Sequence, residues 1–387
     1  MSKWGPLAVR YQTEKQRKIL SLDGGGIRGV LSLEILLEIE NQLKTELKRG
    51  DDFRLCDYFD YIGGTSTGAI IAAGLSIGLS VKELQEFYEQ KGNAMFDKSF
   101  LLKRIKHFYN DGPLLKELKK VFGEGTIDLQ NGQFKTLLMI VTMNRSTDSP
   151  WPISNNPDAR FNQPSLSDCN LKIPLYQLIR ASTAAPAYFK PETLQWDPKD
   201  PEKTFVFVDG GVTPYNNPAF LLYRMATQKA YNLNWKTGEK NLLIVSVGTG
   251  SAPSPGAYSN LLDTLSSLPE NLMYTIQVDQ DINCRTVGRC IFGAAIDREL
   301  EDMVPMDEDG NILDAISDAN RHFSYLRYNA DLSQGGLEDL GLADILSENV
   351  RKMDSVEYLQ DLKKVGAAVA KNQVKVSPHF RHFLEEN

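Results

Sequence analysis

The chain has 387 residues, 42% of them hydrophobic and 24% charged, so it is long enough to bury one large core, with or without an appendage. Its formal net charge of −7 at pH 7 argues against a general nucleic-acid-binding protein. Four scattered cysteines without a CxxC pair and four histidines without metal-ligand spacing indicate reduced thiols and no zinc site. The first residues lack the apolar segment of a signal peptide, and we therefore expect a cytoplasmic protein.

The first predicted unit is a strand, a glycine-rich loop and a helix. Residues 18–22 form a short apolar run, and residues 23–29 read Asp-Gly-Gly-Gly-Ile-Arg-Gly. Residues 30–47 then place apolar side chains at helical spacing, which indicates an amphipathic helix. A strand followed by a glycine loop and a helix is typical of a mainly parallel α/β sheet.

Two functions are compatible with the glycine loop. The backbone N–H groups of Gly24, Gly25 and Gly26 could donate to an oxyanion, because glycines leave the space in front of them free. Together with Gly29, the same loop matches the G-x-G-x-x-G fingerprint of dinucleotide-binding proteins. That fingerprint expects an acidic residue at the end of the second strand, whereas the second strand here runs into a serine turn. The sequence favours the oxyanion loop and keeps a nucleotide site as the alternative.

The serine turn contains a candidate nucleophile. Residues 64–68 read Gly-Thr-Ser-Thr-Gly, a G-x-S-x-G pentapeptide between a predicted strand at 59–62 and a predicted helix at 67–77. A serine on such a turn exposes its hydroxyl, with the N–H groups of the helix behind it. Gly64 and Gly68 keep side chains out of the turn. The pentapeptide also fits an ordinary turn, so Ser66 needs a base beside it to act as a nucleophile.

The remaining elements continue the α/β pattern up to about residue 250. Residues 99–109 form a basic amphipathic segment that either docks on the core or contacts an anionic membrane surface. Residues 257–387 are largely helical by pattern. We therefore predict a mainly parallel central sheet flanked by helices, with a catalytic domain over 18–250 and a helical C-terminal region over 257–387. The other predicted elements are helices at 81–90, at 179–189 with a stop at Pro186, and from 217 to 231, strands at 137–143, 205–208 and 242–247, and a polar loop at 146–167.

The base is predicted to be an aspartate rather than a histidine. Asp209 ends the predicted strand at 205–208 and is followed by Gly210 and Gly211. Active sites of open α/β sheets lie at the carboxyl ends of the strands, so Asp209 is placed to meet Ser66 directly. The histidines that follow it, at 322, 379 and 382, lie in the distal helical part without a loop signature. An Asp-Gly pair is also a common turn sequence, and on the residues alone that alternative stays open.

In their order along the chain, the motifs at 23–29, 64–68 and 209–211 resemble those of the patatin-like phospholipase family, as do the blocks at 181–189 and 246–250. The resemblance extends over roughly residues 19–250. It implies a three-layer sandwich and a catalytic dyad in which Ser66 is the nucleophile and Asp209 the base. It also implies an oxyanion hole at Gly24, Gly25 and Gly26, hydrolysis of phospholipid acyl esters, and no metal ion or other cofactor.

The resemblance extends to partners and regulation. Arg28 lies next to the glycine loop and is suited to an anionic lipid, although an exposed charge in the first helical turn would look the same. The compact chain is similar to bacterial patatin-like proteins, some of which are anti-phage effectors that cyclic oligonucleotides activate. We therefore expect membrane phospholipids as the substrate, with the protein acting at the inner face of the membrane. We also expect a cyclic nucleotide as activator and assembly into a homo-oligomer. The alternative is a nucleotide- or lipid-binding protein on the same scaffold without hydrolysis.

Overall fold

The computed structural model describes residues 2–11, 14–96, 112–186, 189–197, 199–252, 261–297, 301–313 and 320–385. The predicted basic segment at 99–109 lies outside these residues. At the centre is a nine-stranded sheet with the strand order β5-β6-β3-β2-β1-β7-β9-β8, in which β4 also pairs with β3. The strands are β1 (Arg17–Leu22), β2 (Tyr61–Thr65), β3 (Leu137–Asn144), β4 (Ser149–Ser154), β5 (Glu192–Asp197), β6 (Asp200–Asp209), β7 (Leu242–Val247), β8 (Arg289–Phe292) and β9 (Ser324–Tyr328).

The α-helices of the described residues flank this sheet. They are α1 (Ala8–Tyr11), α2 (Gly29–Glu46), α3 (Leu55–Tyr58), α4 (Thr67–Ser76), α5 (Val81–Phe96), α6 (Gly112–Phe122), α7 (Leu175–Ser182), α8 (Ala219–Thr227), α9 (Leu261–Val287), α10 (Gln334–Asp339), α11 (Ser347–Val350), α12 (Leu359–Gln373) and α13 (Val376–His379). Within the part of the chain that the structure describes, each helix is too short or too polar to cross a bilayer.

The sheet is mainly parallel, which confirms the predicted fold class. β3, β2, β1, β7, β9 and β8 pair in parallel, while β4 and β6 run antiparallel to β3, and β5 runs antiparallel to β6. β1 lies between β2 and β7, so that Ile19 faces Tyr61 on one side and Ile244 on the other. Strands buried in this way read as continuous apolar runs, as β1 and β7 do in the sequence.

Helices cover both faces of the sheet. In β2, a side chain at Gly63 would contact Leu222 of α8, whereas a side chain at Gly64 would overlap with the backbone of α4 at Gly68. Neighbouring residues of a strand point to opposite faces, so α8 and α4 lie on opposite sides of the sheet. The result is the predicted three-layer arrangement of helices, sheet and helices.

The C-terminal part of the chain supplies helices and also two strands. Helix α12 packs on α2 so closely that a Cβ on Gly366 would lie 2.7 Å from the carbonyl oxygen of Leu31. Strand β9 pairs with β7, and β8 pairs with β9, so both extend the sheet that β1 and β2 begin. The predicted division into residues 18–250 and 257–387 stays a prediction, and strands of one sheet occur on both sides of it.

Two local predictions differ from the structure. The helix predicted at 179–189 is α7, which already ends at Ser182. The loop predicted at 146–167 contains β4, although Pro150 and Pro152 lie in it. Proline cannot donate a ladder hydrogen bond, but an edge strand tolerates it, and β4 pairs with β3 alone among the described strands.

Candidate active site

Ser66 lies on a strained turn between β2 and α4. The strand ends at Thr65 and the helix begins at Thr67, which leaves Ser66 with φ 56° and ψ −120°. Few residues other than glycine adopt positive φ, and such strain is concentrated at functional sites. The turn places the half-buried Ser66 at the N-terminal end of α4, as the pentapeptide predicts.

The glycines of the pentapeptide allow the turn to pack tightly. A Cβ on Gly64 would overlap with the carbonyl oxygen of Gly68, and a Cβ on Gly68 would overlap with that of Leu22 at the end of β1. Larger residues would therefore separate the turn from the neighbouring strand.

Strand pairing on β3 brings Asp209 to Ser66. Thr65, the last residue of β2, pairs with Val141, and Asp209, the last residue of β6, pairs with the next residue of β3, Thr142. Strand β4 occupies the other edge of β3, so β2 and β6 meet end to end on the same edge. The prediction placed Asp209 at the carboxyl end of a strand parallel to β2. In the structure Asp209 does end its strand, but β6 runs antiparallel to β3 and reaches Ser66 from the opposite direction.

The two side chains form a direct hydrogen bond. Ser66 Oγ donates to Asp209 Oδ2 at 2.6 Å, and the backbone N–H of Gly211 donates to Asp209 Oδ1 at 2.6 Å. Burial raises the pKa of Asp209 from 3.8 to about 6, although the hydrogen bonds from Ser66 and Gly211 oppose this shift. The carboxylate is therefore ionised at neutral pH and more basic than a surface aspartate, which suits a general base.

The three later histidines contact residues other than the dyad, and His382 Nε2 accepts from Arg381 Nε at 3.2 Å. His322 Nδ1 is 2.6 Å from the hydroxyl of Tyr223, and His379 Nδ1 is 2.7 Å from the hydroxyl of Tyr328. Both pairs lie at β9 or its flanking residues rather than at the dyad. Among the described residues, no group of three or more His, Cys, Asp or Glu side chains is arranged to hold a metal ion.

The glycine loop borders the dyad, but its three N–H groups are not equivalent. A Cβ on Gly24 would lie 3.3 Å from Ser66 Cβ, so the loop reaches the serine. The N–H of Gly24, however, donates to the carbonyl oxygen of Asn216 at 3.0 Å and is not available to an oxyanion. The N–H groups of Gly25 and Gly26 have no acceptor among the described residues. Of the three N–H groups predicted to donate to an oxyanion, those of Gly25 and Gly26 therefore remain as candidates.

The C-terminal part of the chain covers the other side of the loop. The N–H of Ile27 donates to the carbonyl oxygen of Met353 at 2.9 Å, and a Cβ on Gly26, which has φ +60°, would overlap with that oxygen. A dinucleotide-binding loop presents such N–H groups to a pyrophosphate. Because a protein carbonyl already occupies this position, the contact argues against the nucleotide-binding alternative.

Arg28 is buried, with only 7% of its surface exposed. Its side chain donates from Nε to the carbonyl oxygen of Gly25 at 3.4 Å and from a terminal nitrogen to that of Arg351 at 3.0 Å. The alternative of an exposed charge is therefore wrong, while a role in lipid binding stays a prediction. Next to it, a Cβ on Gly29 would lie 2.5 Å from Thr67 Oγ1, so the loop and the serine helix pack against each other.

The turn after Asp209 is also closely packed. A Cβ on Gly210 would overlap with the carbonyl oxygen of Val141, and a Cβ on Gly211 would lie 3.0 Å from Asp209 Oδ1. Both glycines therefore allow β6 to end against β3 and bring the N–H of Gly211 to the carboxylate.

Sequence reasoning missed several residues that support the site. Ser182 accepts the hydrogen bond of the Ser66 N–H at 2.9 Å, and Thr249 donates from Oγ1 to the carbonyl oxygen of Gly24 at 2.8 Å. Ser182 lies in the block at 181–189 and Thr249 in the block at 246–250, so the family resemblance was the sequence feature that could have indicated them. Asn217 supports the start of the next helix, because its Oδ1 accepts from the N–H of Ala219, the first residue of α8, at 3.1 Å.

Comparison with known proteins assigns the family. Residues 20–223, more than half of the chain, match the family model described as patatin-like phospholipase. The chain belongs to the patatin-like phospholipase family. The matched residues include the glycine loop, Ser66 and Asp209, and they end before β7, β8 and β9.

Relatives of this patatin-like chain include plant and animal proteins. Patatin-17 of Solanum cardiophyllum is 32% identical over 251 residues, 60% of this chain and 60% of that protein. The intracellular phospholipase A2 of Caenorhabditis elegans is 31% identical over 254 residues, 64% of this chain and 20% of that protein. The chain thus spans about 60% of the length of the curated patatins that it matches. The solved structure of human GIVD cytosolic phospholipase A2 aligns with 98% of this chain and 62% of its own, with a TM-score of 0.41 and 13% identity.

Proposed function

We propose that this patatin-like protein is a serine lipid acyl hydrolase that cleaves fatty-acid esters of membrane phospholipids. The observation that carries the proposal is the 2.6 Å hydrogen bond from Ser66 Oγ to Asp209 Oδ2 on a strained turn. A serine on a nucleophile elbow, a base in contact with it and free N–H groups beside it are the parts that acyl transfer requires. Family membership supports lipid esters as the substrate class.

Acylation follows from this geometry. Asp209 accepts the proton of Ser66 Oγ as that oxygen attacks the ester carbonyl carbon. The carbonyl oxygen becomes an oxyanion, to which the N–H groups of Gly25 and Gly26 donate. The tetrahedral intermediate then breaks the bond to the glycerol oxygen, which leaves as the alcohol of a lysophospholipid after taking the proton from Asp209. The acyl group remains as an ester on Ser66.

Deacylation uses the same groups in the same roles. Asp209 accepts a proton from a water molecule, whose oxygen attacks the acyl-serine carbonyl. The second oxyanion forms at Gly25 and Gly26, and its collapse breaks the bond to Ser66 Oγ. Asp209 returns its proton to that oxygen, and the fatty acid is released. Every proton transfer in this scheme uses the Asp209 carboxylate.

The proposal includes peripheral contact with the membrane and activation by a cyclic oligonucleotide in anti-phage defence. The support for activation is the similarity of residues 18–37 and 180–189 to bacterial effectors of that kind. Such an activator would have to favour a catalytically competent conformation over another, because a ligand shifts an equilibrium only by its difference in affinity. A homo-oligomeric state stays a prediction.

The test is fatty-acid release from labelled phospholipid vesicles, with the native protein compared with Ser66→Ala. Ser76→Ala, which changes a buried serine of the same helix α4, is the matched control. We expect release to fall to background in Ser66→Ala and to persist in Ser76→Ala. A folded Ser66→Ala protein with native release would contradict the proposal.

Two further experiments test activation by a cyclic oligonucleotide and contact with the membrane. The assay is repeated with a panel of cyclic oligonucleotides, and full activity in the nucleotide-free protein would remove the activation step. Vesicle co-sedimentation is measured in parallel. Binding without release under every condition would favour the lipid-binding alternative over hydrolysis.

A further inference from the structure

A buried ion pair joins the C-terminal part of the chain to the residue that precedes the glycine loop. Arg327 of β9 donates from one terminal nitrogen to Asp23 Oδ1 at 3.0 Å and from the other to Asp23 Oδ2 at 2.6 Å. Arg327 is 4% exposed and Asp23 is 1% exposed. The two residues are 304 positions apart, and Arg327 lies outside the residues that match the family model.

Such a pair is costly to bury. Two charges removed from water lose their hydration, and good geometry repays that cost only in part. The charge of Asp23 nevertheless raises the pKa of Arg327, although burial acts in the opposite direction. Hydrophobic residues could fill the same space without this cost, so the arrangement calls for a role in addition to packing.

The pair fixes the start of the glycine loop. Arg327 also donates to Ser246 Oγ at 2.8 Å, and Ser246 is its neighbour on the adjacent strand β7. The backbone N–H of Asp23 donates to the carbonyl oxygen of Val247 at 3.2 Å. Both the backbone and the side chain of Asp23 are therefore anchored to the C-terminal half of the sheet.

The next peptide groups of the loop are also held. Gly24 donates to Asn216 and accepts from Thr249. The next two N–H groups, those of Gly25 and Gly26, have no acceptor among the described residues. The direction in which these two N–H groups point therefore depends on how Asp23 and Gly24 are held. The Arg327 guanidinium also balances the Asp23 carboxylate, whose charge would otherwise oppose an oxyanion nearby.

We propose that Arg327 is a positioning residue for the oxyanion loop and acts through Asp23. The proposal rests on the acyl-hydrolase function proposed above. It gives the C-terminal strand β9 a part in catalysis, although among the described residues the side chains of the Ser66–Asp209 dyad hydrogen-bond to each other and to Gly211 rather than to β9. An oxyanion hole is effective only when its donors are held in place before the reaction, and Arg327 supplies part of that preorganisation.

The experiment separates positioning from stability. Turnover of a soluble short-chain p-nitrophenyl ester and the melting temperature are measured for the native full chain, Arg327→Met and the double variant Asp23→Asn/Arg327→Met. The double variant avoids an unpaired buried carboxylate. The matched control is Arg17→Met, which removes a 4% exposed arginine at the other end of β1, where it faces Asp60 at 3.5 Å.

For Arg327→Met we expect a lower melting temperature and a kcat reduced about 10²-fold, as for the loss of one oxyanion donor, with KM little changed. The double variant should recover much of the melting temperature without recovering kcat. Arg17→Met should lower the melting temperature and keep the native kcat. Arg327→Lys, which keeps the charge but not the two-pronged contact, should fall between the native protein and Arg327→Met.

The outcomes are distinguishable. A double variant that recovers both melting temperature and native kcat would show that the ion pair is only structural and would overturn the inference. If the native protein and Ser66→Ala hydrolyse the ester equally, the proposed function itself fails. Reaction of Ser66 with a fluorophosphonate, followed by intact mass, gives a second rate that depends on the oxyanion loop. It should fall in parallel with kcat.

Discussion

Ser182 accepts at Oγ a hydrogen bond from the backbone N–H of Ser66, with a nitrogen–oxygen distance of 2.9 Å. The same hydroxyl donates its proton to the carbonyl oxygen of Val141 at 2.7 Å. One side chain at the end of α7 therefore links the strained turn to strand β3, on which β2 and β6 meet. The φ of 56° at Ser66 persists because contacts outside the turn hold it.

Substitution of Ser182 by Ala should impair catalysis without unfolding the protein. The Ser66 N–H would lose a buried acceptor, which costs about 1–3 kcal/mol. Part of that cost would appear as displacement of the nucleophile, and we expect kcat to fall about tenfold or more. Turnover of the soluble ester is the measurement. The control is Thr183→Val, since among the described residues the hydroxyl of Thr183, which follows α7, donates to carbonyl oxygens of that helix, at Ile179 and Arg180. Equal activity of Ser182→Ala and Thr183→Val would contradict the prediction.

The pH dependence of hydrolysis should report the ionisation of Asp209. Burial raises the pKa of Asp209 to about 6, and only the ionised carboxylate can accept the Ser66 proton. We therefore expect kcat/KM for the soluble ester to rise from pH 4 to a plateau above about pH 7, with an apparent pKa near 6. A single midpoint between pH 7 and 8 would instead point to another group, such as a histidine, as the base.

Asp209 should also make the folded protein less stable at neutral pH. The pKa of Asp209 is raised in the folded state, from 3.8 to about 6, so the folded protein holds the proton more tightly than the unfolded chain. Its contribution to stability is therefore fully present below about pH 4 and is lost as the pH rises through about 6.

Asp209→Asn should consequently be more stable than the native protein at pH 8, by about 3 kcal/mol, and no more stable at pH 4. Denaturant unfolding at the two pH values measures the difference. Ser66→Ala is the control, because it removes the proposed nucleophile while it leaves the carboxylate in place. The same stabilisation of Asp209→Asn at pH 4 and pH 8 would show that the charge is not its cause.

The sequence predicted those parts of the molecule that depend on local pattern. The apolar runs of β1 and β7, the glycine loop and the serine turn are each contained in a short stretch, and the structure has them at the predicted places. Asp209 was predicted as the partner of Ser66, but on the expectation of a parallel strand. Its actual position depends on the register of β6 on β3, which no local pattern encodes.

The residues that the sequence did not reveal act over long distances in the chain. Strand β9 is short and buried throughout, so it lacks the alternation that identifies a half-buried strand. Arg327 becomes significant only when β9 pairs with β7 and brings it to Asp23. Likewise, the contact between Met353 and the glycine loop joins segments more than 300 residues apart.

That contact gives a prediction for Gly26. Its φ of +60° is unfavourable for any residue with a Cβ, and the Cβ of an alanine would also overlap with the carbonyl oxygen of Met353 and lie 3.0 Å from Met353 Cβ. The backbone strain alone costs about 1–2 kcal/mol. Relief of the overlap would move either the loop, with its N–H groups, or the C-terminal segment that covers it.

We therefore expect Gly26→Ala to lower the melting temperature and to reduce kcat for the soluble ester at least about tenfold, because the proposed oxyanion donors would be displaced. Gly335→Ala is the matched control, since Gly335 is exposed in α10, has no neighbour within 4 Å at its Cβ position and should become slightly more stable with alanine. A Gly26→Ala protein with native melting temperature and native kcat would show that the loop tolerates a side chain there. In that case the close approach of Met353 would not be a requirement of the active conformation.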